Sequence, residues 1–390
     1  MNRYERTKMQ EELVRRLSAA LSNNAVLCWD RTSLGGSVQI SVIIPVFNAE
    51  RTIADCLHAL DSSTYSAAEY VVVDDGSTDR SVAIAQRAAA KVVSTGGRFG
   101  PARARNLGVQ FASGDLIVFI DADVALQADA LKRIAARFET EKDLDALIGA
   151  YDDAPSDQGV VSQFKNLQHS FVHSQGNRRA FTFWTGCGAV KRDVFLQHGG
   201  FDESYEKPSI EDIELGYRMR KSGRIIALDP LVRCKHMKLW TLGSLLLTDV
   251  FQRGIPWTVL IFRTRYFPDD LNLRWGQRAS VLLAGLLVMG CLLGIAAAIL
   301  GETKLAIWAV AMGIAGLSGI LALNRSFYNF LTARRGLSYL LFGVPLHLLY
   351  YFYSGVSFLL GIVIYKFKGV QKTHSSEVFL HGSGNQDRAA

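Results

Sequence analysis

Asp121, Ala122 and Asp123 stand directly after the apolar run Leu116–Ile120. Residues i and i+2 of a strand point the same way, so two carboxylates emerge together at the end of that run. Converging carboxylates repel unless a cation joins them, and hard divalent ions such as Mg2+ or Mn2+ accept oxygen ligands in that arrangement. A diphosphate is a natural source of the remaining ligands; a solvated acidic turn is the plainer alternative. A second acidic cluster, Asp74, Asp75, Gly76, Ser77, Thr78 and Asp79, closes the run Tyr70 to Val73. Ser77 or Asp79 can cap a following helix. A strand-end carboxylate not needed for capping can accept hydrogen bonds from a nucleobase or from ribose hydroxyls.

Gly96, Gly97, Arg98, Phe99, Gly100, Pro101 and the residues to Asn106 form a third candidate. Glycines admit a close backbone approach, Pro101 starts a helix, and Arg103 and Arg105 offer charge to phosphates. Farther on, Glu211, Asp212 and Glu214 open a helical pattern that runs to Lys221. Acids in a first turn complement the helix dipole, and a carboxylate beside a donor site can serve as a general base for a sugar hydroxyl. Glu211 and Asp212 are both candidates. His236 sits in a basic, aromatic stretch and reads as a structural histidine; His169 and His173 read as ordinary helix surface. Neither Gly-x-Gly-x-x-Gly nor Gly-Lys-Ser/Thr occurs, which removes the usual supports for a dehydrogenase or a P-loop NTPase.

The elements that must carry these groups alternate. Strand-like runs at Ile40–Val46, Tyr70–Val73, Lys91–Ser94 and Leu116–Ile120 are separated by helical stretches, which predicts an α/β fold with a mainly parallel sheet covered on both faces. Ligands of such sheets sit outside the carboxyl ends of the strands, where the acidic and glycine-rich clusters fall.

The chain has 390 residues and a formal net charge of +7. Its Arg and Lys gather beside apolar segments rather than among aromatics in the polar part, so anionic lipid is the expected counterpart and nucleic acid is not. Five scattered cysteines without a Cys-x-x-Cys pair indicate neither a disulfide framework nor a zinc site. Ala279–Leu300, Leu305–Leu323 and Leu337–Tyr365 hold no Asp, Glu, Lys or Arg over 22, 19 and 29 residues, each enough to cross a bilayer as a helix. Arg274, Arg278, Arg325, Arg334 and Arg335 put the flanks of the first two spans in the cytosol. Three crossings leave the C-terminus outside, and a segment re-entering at Pro345 is the alternative. The expected organisation is a helical extension over 1–37 with Leu13, Val14, Leu17 and Leu21 on one face, a catalytic domain over 38–238, an interfacial amphipathic segment over 239–278, about three membrane helices over 279–367 and a polar tail over 368–390. Charges throughout the first twenty residues leave no secretory signal, so the domain is expected on the cytoplasmic side of the plasma (inner) membrane.

Taken in order, Ile40 to Asn48, Asp74 to Asp79, Gly100 to Gly108, Asp121 to Asp123, Gly186 to Gly188, Gly199 to Asp202 and Glu211 to Asp212 resemble the family 2 inverting glycosyltransferases of the GT-A fold. The resemblance implies that Pro45, Phe47 and Glu50 line a nucleotide pocket, that Asp75 faces the base and that Arg105 lies near the diphosphate. It implies a divalent metal on Asp121 and Asp123, with His236 near it, and Asp212 as the base of a single displacement. The partners implied are a nucleotide-diphosphate sugar, UDP-linked by preference, and a lipid-linked or saccharide acceptor at the membrane. Gln252, Arg253 and Trp257 depart from the Gln-x-x-Arg-Trp spacing of processive members, so single transfer is favoured; a processive polysaccharide synthase and a non-catalytic nucleotide-sugar-binding subunit are the alternatives.

Overall fold

The computed structural model describes residues 38–65, 69–88 and 90–367. The extension expected over 1–37 and the tail expected over 368–390 lie outside the described residues. Among these, eight strands form one sheet: β1 (Ile40–Val46), β2 (Glu69–Asp74), β3 (Lys91–Ser94), β4 (Leu116–Ile120), β5 (Val124–Leu126), β6 (Ala146–Tyr151), β7 (Cys187–Lys191) and β8 (Ile226–His236), in the order β3-β2-β1-β4-β7-β6-β8-β5. β3, β2, β1 and β4 are mutually parallel, β7 runs against β4 and β6, and β5 runs against β8.

The central strands are apolar without interruption because both faces are covered. Ile40, Val42, Ile44 and Val46 pack with Ile53, Leu57 and Leu60 of the helix Ile53–Asp61 on one side. Ile43, Val71, Val73 and Phe119 pack on the other with Ala102 and Val109 of the helix Pro101–Gln110 and with Leu215 and Met219 of the helix Glu211–Lys221. The strand order reverses between β1 and β4, and at such a switch point the strand ends open into a crevice. Asp121–Asp123 leave β4 at that crevice. Gly100 begins the helix Pro101–Gln110 with φ +97, and a Cβ there would stand 2.5 Å from the Glu206 carbonyl oxygen. Only glycine meets both demands.

Among the described residues four helices are long and apolar enough to cross a membrane: Leu242–Thr264, Trp275–Leu300, Thr303–Leu323 and Leu337–Phe367. The last runs unbroken through Pro345, so the chain does not turn back there. Leu242–Thr264 adds one to the three expected, but it is tied along its length to the domain that holds the sheet. Lys165 Nζ lies 2.5 Å from Asp249 Oδ2, Ser209 Oγ donates to the Gln252 carbonyl at 2.8 Å, and Trp257 Nε1 donates to Tyr217 Oη at 3.0 Å. Just beyond it, the Asp270 carboxylate accepts from the Asn177 and Phe181 N–H groups. Both ends of this helix therefore return to the same domain. The helix Arg325–Arg335 is also docked, with Phe327 and Leu331 against Phe164 and Leu167 and Arg334 paired to Asp153.

Trp275–Leu300 and Thr303–Leu323 form a hairpin that turns at Gly301. Small residues let the two backbones approach closely, which is how helices associate in lipid. A Cβ on Gly316 would stand 2.8 Å from the Leu283 carbonyl oxygen and 2.9 Å from the Leu287 nitrogen, whereas one on Gly285 meets nothing within 4 Å. Gly316→Ala is accordingly expected to lower the melting temperature of the purified full-length protein and Gly285→Ala to leave it unchanged. Equal melting of the two variants would refute this packing.

Candidate active site

At the carboxyl edge of β4 lies a cavity of about 190 Å3 whose walls include Arg105, Asp121, Asp123, Glu211, Asp212 and His236. The carboxylates assigned to metal and base thus share one chamber with Arg105, while Glu50 and Asp75 do not line it. Its centre is the Arg105 guanidinium, only 4% exposed. Nη2 lies 2.7 Å from Asp121 Oδ1 and Nη1 lies 2.8 Å from Glu211 Oε1. Burial opposes its charge, but Asp121, Glu211 and Asp212 together hold it more firmly protonated than an ordinary arginine. Glu211 is further committed: Oε2 accepts from the Ser209 N–H at 2.9 Å. It is a structural anion more than an available base.

Asp212 begins the same helix but stands differently. Its Oδ2 accepts from Thr185 N and Thr185 Oγ1, each at 3.2 Å, and Oδ1 accepts from Ile213 N at 2.8 Å. Burial and the neighbouring Glu211 charge push its pKa up to about 6, with Arg105 holding it back. A carboxylate with that affinity for protons is suited to collecting one near neutral pH.

Asp123 Oδ2 faces His236 Nε2 at 3.6 Å. On the ring's other side Nδ1 lies 2.8 Å from the Asn166 side-chain amide, which holds the ring with Nε2 turned toward the carboxylate. Burial raises the Asp123 pKa, but His236 and then Lys238 outweigh it and keep the group below the usual carboxylate range. Among the described residues no three His, Cys, Asp or Glu side chains hold a metal ion by themselves. Asp123 and His236 offer one oxygen and one nitrogen, so a cation between them would need further ligands from outside the protein.

The donor-side residues lie beside this chamber rather than in its wall. Pro45 is half-buried in β1. Phe47 is exposed at the end of β1, with the Arg98 guanidinium carbon 4.1 Å from its ring centre. Glu50 pairs with Arg80 at 3.3 Å. Asp75 accepts from the Phe99 N–H at 3.0 Å and the Gly100 N–H at 2.8 Å, fastening the glycine-rich loop to the end of β2.

Residues 41–199 match the profile described as Glycosyl transferase family 2. This segment is a family 2 glycosyltransferase domain. Among curated proteins the chain is similar to Glycosyltransferase GlyG of Streptococcus pneumoniae, 32% identical over 117 residues, which is 29% of this chain and 38% of the relative. It is also similar to Poly(ribitol-phosphate) beta-N-acetylglucosaminyltransferase TarS of Staphylococcus aureus, 31% identical over 121 residues, 28% of this chain and 20% of the relative. In both cases the chain spans well under half of the relative. Among solved structures it is similar to the mannosyltransferase PcManGT of Pyrobaculum calidifontis in complex with GDP-Man and Mn2+, at 18% identity, covering 86% of this chain and 88% of that one with a TM-score of 0.47. The sheet, mostly parallel and flanked by helices, is GT-A-like.

The glycosyltransferase chamber also contains groups that the sequence reading assigned elsewhere. His169 and His173, taken as helix surface, are site walls. Tyr151 stacks on His236, His169 and His173 at 4.5, 5.9 and 5.6 Å between ring centres, with Trp184 edge-on at 4.6 Å. Burial, helped by Arg253 and His236, lowers the His173 pKa to about 4, and burial lowers that of His169 well below the normal value. Both are neutral at pH 7. A signal for them existed: Ser162, Asn166, His169 and His173 recur at intervals of four, three and four, a polar stripe on one helix face. Gln252, Arg253 and Trp257 reach the same cavity from the segment where the π-helix Leu247–Gly254 passes into the α-helix Ile255–Thr264.

Arg105→Met removes the cation from two acids, one of them the buried Glu211. Breaking a buried pair of this kind costs about 3 to 5 kcal/mol. The single variant is expected to melt well below wild type, and Arg105→Met/Glu211→Leu to recover much of the loss. Unchanged melting of the single variant would contradict the bridge.

Proposed function

We propose that the chain is an inverting glycosyltransferase, moving a sugar from a nucleotide-diphosphate donor, UDP-linked by preference, to a hydroxyl of a membrane-associated acceptor. The observation that carries this reading is the convergence of Asp121, Asp123, Asp212 and His236 on one chamber at the end of β4. Asp212 takes the proton of the acceptor hydroxyl as that oxygen attacks the anomeric carbon. The bond from this carbon to the diphosphate breaks in the same displacement, and the configuration inverts. Asp123, Asp121 and His236 would hold the divalent cation, Mg2+ or Mn2+, which neutralises charge on a departing diphosphate. Lys238 adds a positive group in the same wall, 4.2 Å above the Trp240 ring. The exposed Phe47 ring and Pro45 offer the nucleobase a flat apolar surface beside the chamber, with Glu50 and Asp75 at its edge.

The domain stands on the cytoplasmic membrane face in this reading. Arg274 bonds to the Gln175 carbonyl and Arg334 to Asp153, which keeps both basic flanks on the domain's side. Leu242–Thr264 lies in the interface and the other three apolar helices cross. A second reading, processive polymer synthesis, draws support from Gln252, Arg253 and Trp257 on one wall. Sizing the products of one donor sugar separates the two: a single addition supports the first, a ladder the second.

Asp212→Asn is expected to reduce transfer at least about 100-fold while the protein remains folded. In wild type, kcat/KM should rise with pH through about 6 and level off above it, because the base acts only when ionised. Below that point it should fall roughly tenfold per pH unit. Wild-type activity in Asp212→Asn, or a flat profile from pH 5 to 7, would remove Asp212 from this role. Asp123→Asn is expected to abolish the response of activity to added Mn2+; a full response would defeat the metal assignment.

A further inference from the structure

A second cavity, of about 320 Å3, lies between the interfacial helix Leu242–Thr264 and the helices Trp275–Leu300 and Leu337–Phe367. That volume falls within the range of ligand pockets. Ile261, Val281 and Phe358 give it an apolar lining, and Leu282, 75% exposed, stands at its open side. It is not separate from the catalytic chamber. His169, Arg253, Trp257 and Asn272 line both.

The junction is net positive, since Lys165 and Arg253 both act on the single carboxylate of Asp249. Asp249 accepts from Lys165 Nζ at 2.5 Å and from Tyr353 Oη at 2.6 Å. Among the described residues, no carboxylate lies within ion-pair distance of Arg253; its Nη1 lies 3.4 Å from His169 Nε2. With Nε2 facing a donor, His169 carries its hydrogen on Nδ1, and that buried atom has no hydrogen-bond partner. Arg278, on the far wall, gives its guanidinium to the Leu273 and Pro268 carbonyls and lies over the Phe267 ring at 3.8 Å. An apolar groove that leads to an arginine with no carboxylate in direct contact, and from there to a base, is complementary to one kind of molecule: a hydrocarbon chain ending in a phosphate ester.

We propose that the acceptor is such a lipid, its chain in the groove, its phosphate on Arg253 and a hydroxyl beyond the phosphate presented to Asp212. The inference rests on the transfer reading above and names its acceptor class. In the step, the acceptor oxygen bonds to the anomeric carbon, its proton passes to Asp212 and the bond to the donor diphosphate breaks, the electron pair leaving with the diphosphate.

The test uses the full-length protein in nanodiscs of zwitterionic phospholipid and a photoreactive long-chain alkyl phosphate as probe. The alkyl alcohol of the same length and inorganic phosphate serve as competitors. The expected result is labelling of peptides containing Val281 or Phe358, competed by unlabelled alkyl phosphate about tenfold better than by the alcohol, the margin of one charge-assisted contact. Inorganic phosphate alone should not compete. Arg253→Gln should erase the preference for phosphate over alcohol, Arg253→Lys should restore part of it, and Val281→Trp should reduce labelling by either chain. Equal competition by alcohol and phosphate, labelling no greater than bulk phospholipid allows, or full competition by inorganic phosphate would each overturn the acceptor assignment. Hydrolysis of nucleotide sugars by the wild-type protein without acceptor is measured in parallel. If it proceeds while the probe fails, the acceptor class is wrong and the transfer reading stands. If the probe binds and no donor is hydrolysed, the transfer reading fails and takes the acceptor role with it.

Discussion

A buried guanidinium between two carboxylates is the constraint on which the chamber depends. Arg105 comes from the helix that follows the glycine-rich loop, Asp121 from the end of β4 and Glu211 from the start of a helix more than a hundred residues downstream. Two acids drawn to one cation at 2.7 and 2.8 Å fix three distant segments relative to one another. Desolvating these charges is expensive, and the structure recovers the expense in position more than in stability. Asp123 lies two residues beyond one end of the bridge and Asp212 one residue beyond the other. The bridge thus places Asp123 and Asp212, the residues proposed for metal and base, across a common space.

The surroundings tune what that space can do. Burial and Glu211 raise the proton affinity of Asp212, while His236 and Lys238 keep Asp123 ionised. Two carboxylates of one cavity are thereby driven in opposite directions, one toward trading protons and the other toward permanent charge. The Tyr151 stack contributes flat, neutral walls. His169 and His173 lose their charge to burial and so add no positive charge to the chamber that Asp121 and Asp123 line.

Much of this was legible in the residues. The continuous apolar runs of β1, β2 and β4, the last two followed by acids, announced a parallel sheet with its ligands at the strand ends, and Asp121–Asp123 occupies that place. The donor-side roles read for Pro45, Phe47, Glu50 and Asp75 rest on the resemblance alone, since these residues border the chamber without lining it. The antiparallel strands were less visible, because β5 has only three residues and β7 lies in a stretch of small residues that reads as a loop. Arg105 looked like a phosphate ligand on an exposed first turn, since its partner Glu211 is separated by 106 positions and no local pattern joins them. The fourth apolar helix was read as interfacial from its mixed arginines and aromatics. Its hydrogen bonds to the domain bear the same character, although length and composition alone would let it span.

The two cavities share Arg253 and Trp257, and the larger one lies between apolar helices, on the route that a membrane-held acceptor of the proposed kind would take. A molecule entering by that route travels in two dimensions. Its supply is then set by mole fraction in the leaflet rather than by molarity, and bilayer thickness and fluidity become kinetic variables of the enzyme.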